Sequence, residues 1–258
     1  MENLYGLFLT FVIGLFIMFG TLIVFCTKNN DKIIQFSIST AFGVMVTLII
    51  LELLPESLEL IGEKMSLGWT VFTVTALATT GIIALKILDH FIPNHEHDHD
   101  GTGTKKEHRA NLYHIGVVSS IALILHNIIE GMAIFGTATS SMQLGLLVSL
   151  GVGLHNIPMG MVIASTFYDS NKSIRKTIII SFIISIATFL GGIIMCLFSN
   201  TLVNDFTLGI LLAITLGMLL YIVICELLPQ IYHSKHKPLT CLGIVLGIII
   251  LMISISLE

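Results

Sequence analysis

Charge is what this sequence has least of. Only 11% of its 258 residues are Asp, Glu, Lys or Arg, while 55% are hydrophobic. Soluble domains average roughly 25% charged residues, so this scarcity excludes an ordinary water-soluble globule and argues for lipid surroundings. Cysteine is sparse as well. Cys26, Cys196, Cys225 and Cys241 never fall in a CxxC spacing, so neither a thiolate zinc site nor a disulfide framework is indicated. Scattered through apolar runs, they read as small buried hydrophobes. No nucleotide motif suggests ATP use, and no nucleic-acid partner is expected; the net charge of −4 is modest and says little by itself.

What the sequence does have is long apolar runs. About 20 apolar residues cross a ~30 Å hydrocarbon core, and eight such runs can be read, at 4–26, 33–55, 68–92, 115–137, 144–167, 174–198, 207–228 and 239–256. They use most of the chain. An all-α polytopic membrane protein is therefore expected, with 1–258 as a single transmembrane domain and no soluble domain of any size. The first run follows Met-Glu-Asn rather than a positive start and is too long for a secretory leader, so it is expected to be a true span.

Basic residues mark cytoplasmic loops. Lys28 and Lys32 separate spans one and two; Lys86, Lys105, Lys106 and Arg109 gather between three and four. Lys172, Arg175 and Lys176 follow span five, and Lys235 and Lys237 follow span seven. Of the twelve Lys and Arg, only Lys64 falls on the other side. Both termini are accordingly expected outside.

Two phrases repeat. Glu52-Leu53-Leu54-Pro55 closes the second run and Glu226-Leu227-Leu228-Pro229 the seventh, in helices of opposite direction. Between them stand His126-Asn127-Ile128-Ile129-Glu130-Gly131 and His155-Asn156-Ile157-Pro158-Met159-Gly160, again on spans that run oppositely. An inverted repeat leaves this trace: three spans, a central pair, three spans. Transporters built this way place their sites at the repeat interface.

The central pair carries the chemistry. His126 and His155 lie mid-span, where an ionised group costs roughly 2.5–3.5 kcal/mol on insertion scales. His126 and Glu130 are spaced i, i+4 and share a helical face. Asn127 flanks that face, while His155 and Asn156 present themselves from the neighbouring span. Imidazoles with a carboxylate suit zinc, and also iron, manganese or cadmium. His126, Glu130 and His155 are candidate metal ligands, the metal being cargo rather than cofactor, while Asn127 and Asn156 are polar groups at the same depth that also need partners. Pro158 withdraws a donor from the carbonyl of Leu154 and is expected to bend its helix. Gly131 and Gly160 are expected to let the two central helices approach closely.

With HNIIEG, HNIP-M-G and the two ELLP segments in place, the whole chain resembles the ZIP (ZRT/IRT-like protein) metal transporters. The resemblance implies zinc uptake toward the cytoplasm, a 3+2+3 helix arrangement, sliding of one helix bundle against another, and often a homodimer. It makes His126, Glu130 and His155 the primary ligands, with Asn127 and Asn156 contributing to a neighbouring second site. The sequence departs from the family at Met159, where a glutamate is usual, and near Thr188, where a carboxylate is frequent. With Glu130 as the remaining carboxylate, one occupied site is expected rather than two. Met159 is expected to be an apolar filler.

Two further features complete the reading. The segment 93–113 is expected to be a cytoplasmic loop, in which His95, His97 and His99 alternate with acids and suit weak, exchangeable metal binding. Outside, Glu56, Glu59 and Glu63 are placed to concentrate cations at an entrance. The rival functions are an intramembrane metalloenzyme and a non-transporting metal sensor. The buried HxxxE does not reproduce the HExxH pattern, and an inverted repeat serves two-sided access that neither rival needs. An integral protein of the cell membrane, with divalent metal ions and the lipid bilayer as its partners, is the expectation.

Overall fold

A backbone in lipid has no water to bond with, so spanning segments must satisfy their own N–H and C=O groups. The computed structural model describes residues 2–27, 31–91, 105–140, 142–198 and 205–256, which are helical apart from short connections, with no strand among them. Eight of these helices are long and apolar enough to cross a membrane. In chain order they are α1 (Asn3–Cys26), α2 (Lys32–Gly62), α3 (Leu67–Ile87), α4 (Ile115–Thr139), α5 (Gly145–Ser170), α6 (Ile174–Phe198), α7 (Asp205–Tyr232) and α8 (Lys237–Ile255).

α2 and α7 differ from expectation in one respect: neither ends at its ELLP segment. Each widens into a π-turn, Ile49–Leu53 in α2 and Ile222–Leu227 in α7, and then runs on as α-helix. The cause is Pro55 and Pro229, which have no N–H to give. The preceding residue compensates by reaching one position further back, so the Leu54 N–H bonds the Ile49 carbonyl and the Leu228 N–H that of Val223. Each proline then occupies the first turn of the renewed helix, where no donor is needed. Pro158, by contrast, lies inside the uninterrupted helix Met142–Asn171.

α4 and α2 are the most interior helices, each 67% buried along its most apolar window, against 22% for α3 and 28% for α8. The outward faces of α3 and α8 carry Trp69, Phe72, Leu242 and Ile249, an apolar coat suited to lipid. Inside, α1 packs on α5 and α6, α4 on α5 and α6, α2 on α8, and α3 on α7. Four of these contacts are made by reciprocal glycines. Gly20 meets the Ile157 carbonyl while Gly160 meets that of Ile17; Gly131 meets Thr188 while Gly191 meets Ile128. Gly43 and Gly247 do the same between α2 and α8, as do Gly81 and Gly217 between α3 and α7. Small residues at such crossings let backbones pack closely where lipid offers no hydrophobic drive between helices.

These contacts correct one expectation. Gly131 and Gly160 do not draw α4 and α5 together; they admit α6 and α1 respectively. The His126–Glu130 face of α4 is turned to α5, so the next residue round the helix points to another neighbour.

Candidate metal centre

α4 and α5 meet through their polar residues. His126 and Glu130 stand one turn apart on α4, and His155 faces them from the middle of α5; all three are buried. Both imidazoles converge on the same oxygen. His155 Nε2 lies 2.6 Å from Glu130 Oε1, and His126 Nε2 lies 2.8 Å from it. The first approach has hydrogen-bond geometry, whereas the second is an ion-pair contact at an angle that leaves His126 Nε2 without a hydrogen-bond partner. Among the described residues, Glu130 Oε2 and His126 Nδ1 have none either.

Buried polar atoms without partners are costly, typically about 1–3 kcal/mol each, and here several sit at one place. A dication would answer this: two neutral imidazole lone pairs and one carboxylate are three ligands of a tetrahedral zinc site. Tetrahedral donors at zinc distances stand about 3.3 Å apart, so the contacts of 2.6 and 2.8 Å would have to open by about 0.7 and 0.5 Å to admit such an ion.

The asparagines behave differently from each other. Asn127 donates through Nδ2 to the Ile184 carbonyl of α6 at 3.3 Å, which ties α4 to α6 and leaves Oδ1 unpartnered. Asn156 makes no hydrogen bond with either amide atom. Met159 is buried in the main apolar core, the cluster that also holds Ile17 and Ile163, as an apolar filler would be. Thr188 is buried too, and its hydroxyl has no partner.

A cavity of about 240 Å³ opens onto His126 and Glu130 and is lined further by Glu52 and Glu56 of α2 and Thr137 of α4. Glu52 escapes a reading by motif because it is absorbed into ELLP, although a carboxylate in an apolar run is itself a signal. A second residue that sequence alone did not single out is Ser254 of α8, whose Oγ lies 3.4 Å from His155 Nδ1. Its spacing offers no clue; only packing brings it there.

Known proteins match this chain over nearly its full length. The profile described as ZIP Zinc transporter matches residues 93–255. The Zinc transporter ZupT of Chlorobaculum parvum is 32% identical, covering 98% of this chain and 97% of that protein. The Zinc transporter ZupT of Chlorobium limicola is likewise 32% identical, over 99% and 98%. That of Streptococcus mutans is 31% identical, over 96% of each. The chain belongs to the ZIP family. As a ZIP protein it is a transporter rather than an enzyme, and the metalloenzyme reading falls away.

Elsewhere in this ZIP chain, Asp89 and His90 belong to the helix Leu67–Phe91. Asp89 Oδ2 accepts a hydrogen bond from the Tyr221 hydroxyl at 2.8 Å, joining α3 to α7. Of the segment 93–113, residues from Lys105 onward are part of the helix Lys105–Ser140, while His95, His97 and His99 lie outside the described residues.

Proposed function

We propose that this chain carries a divalent transition metal, zinc foremost, across the cell membrane toward the cytoplasm, with the cargo bound by His126, Glu130 and His155. The observation that supports this best is the convergence of both imidazole Nε2 atoms on one buried carboxylate oxygen, at 2.6 and 2.8 Å. The names of the relatives favour zinc; the same donors also suit cadmium, iron and manganese. Asn127 and Asn156 flank the ion, and Asn127 Oδ1 is a neutral oxygen fit for a transient contact. With Met159 and Thr188 in place of carboxylates, one ion is held at a time.

The pairing of α1 with α5 and α4 with α6, beside α2 with α8 and α3 with α7, supports a 3+2+3 inverted repeat with both termini outside. Alternating access by sliding of the ligand-bearing helices past the others fits that pairing. The histidines at 95, 97 and 99 receive released metal on the cytoplasmic side, and a homodimer is the working assembly.

Zinc-65 uptake into proteoliposomes tests the reading. Saturable uptake by the wild type, lost in a His126→Ala, His155→Ala double variant that still folds, is the expected result. Uptake that persists in the double variant would sink the assignment of the route. Replacing His95, His97 and His99 by serine should leave initial uptake intact and reduce metal retained on the cytoplasmic face.

A further inference from the structure

Ser254 sits in the last turn of α8, fully buried, with its Oγ 3.4 Å from His155 Nδ1. Several buried hydroxyls in this protein, among them Thr21, Thr47, Ser120 and Thr166, bond a carbonyl one turn back in their own helix. Ser254 does not. Among the described residues its hydrogen-bond partner is His155, on a different helix.

We propose that Ser254 is a positioning residue for the cargo ion, acting through His155; this rests on the reading that His155 Nε2 is a metal ligand. An imidazole has two nitrogens, and the partner of one sets the state and direction of the other. His155 Nε2 is directed at Glu130, so Nδ1 is the nitrogen left to be held. A hydroxyl suits this task because it can both donate and accept. It donates to Nδ1 when the ring proton stands on Nε2, and accepts from Nδ1–H when Nε2 carries a metal. A carbonyl or carboxylate could serve only the second state.

His126 has no such support, since among the described residues its Nδ1 is without a partner. The two ligands are therefore unequal. His155 is the fixed post of the site, and His126 is free to turn as the triad opens to admit an ion. The contact also reaches outside the ligand-bearing pair, because α8 packs chiefly on α2.

The test uses the full chain in nanodiscs with cobalt(II) alone as the probe, read by its d–d absorption, alongside zinc uptake in proteoliposomes. Ser254→Ala should weaken cobalt binding about 10–100-fold and raise the uptake KM in proportion, with the maximal rate within about twofold. Ser254→Thr, which keeps the hydroxyl, should restore both. In a His155→Ala background, Ser254→Ala should change nothing further, because the partner it acts through is gone. Wild-type affinity in Ser254→Ala, no recovery in Ser254→Thr, or an equal loss in both backgrounds would overturn the proposal. Should Ser254→Ala not fold, Ser254→Gly, which also removes the hydroxyl, replaces it and is read the same way. Cobalt binding that survives His126→Ala, His155→Ala would instead overturn the site itself, a result separable from any behaviour of Ser254.

Discussion

Gly131 of α4 lies against the carbonyl of Thr188 on α6 so closely that a Cβ at position 131 would stand 1.9 Å from that oxygen. The obstacle is backbone, which cannot rotate away, and it adjoins Glu130. Gly131→Ala must push α4 and α6 apart, and overpacking of this kind costs typically about 1–3 kcal/mol. The expected outcome is a lower unfolding temperature and impaired zinc uptake with every ligand intact. Gly68→Ala is the control, since a Cβ there meets nothing within 4 Å. A Gly131→Ala protein with wild-type stability and transport would show that the α4–α6 crossing does not set the site.

Glu130 is the one carboxylate shared by the two imidazoles. Glu130→Gln keeps its shape and removes its charge, so a dication at the site loses its only anionic ligand. Zinc affinity, measured by competition titration, should fall by at least about tenfold, since even indirect partners of metal ligands cost 10–100-fold. Folding should survive, because the amide can still accept from His155 Nε2–H. An unchanged affinity would move the cargo site away from this triad.

Much of this architecture could be read without coordinates. Lipid demands long apolar runs, and all eight were visible; the i, i+4 spacing placed His126 and Glu130 on one face before any contact was known. What sequence could not show was tertiary. Nothing in the chain order says that His155 and His126 share a single oxygen, or that Asn127 bonds the Ile184 carbonyl. The ELLP segments read in sequence as the close of the second and seventh runs, yet π-turns absorb the donor each proline lacks and carry α2 and α7 onward. Gly131 and Gly160 were legible as points of close approach, but their partners, α6 and α1, depend on which face α4 and α5 turn to each other.

Glu52 and Glu56 line the cavity that leads to His126 and Glu130. One turn apart on α2, they would present two carboxylates to a cation entering that cavity and raise its local concentration. Glu52→Gln together with Glu56→Gln should raise the KM for zinc uptake while leaving the maximal rate near wild type. The double variant should also lose part of the dependence of uptake on ionic strength, because screening acts on the charges removed. Uptake kinetics at low and high salt check both points, and an unchanged KM would remove these carboxylates from the route.

Met159 offers the sharpest change of behaviour. It is buried among apolar side chains of the main core, at the position where the resemblance to the family implies a glutamate. Met159→Glu introduces a carboxylate that must be neutralised or paired, since an uncompensated buried charge costs several kcal/mol. Without metal the variant should be less stable than the wild type. With zinc it should recover, because ligand binding to the folded state alone stabilises in proportion to occupancy. Bound zinc per chain, counted by mass spectrometry of the purified protein, should rise from one toward two as the new carboxylate serves a second ion. A variant that is destabilised to the same degree with and without zinc, and that still binds one ion, would mean that Asn127, Asn156 and Thr188 no longer frame a second site at all.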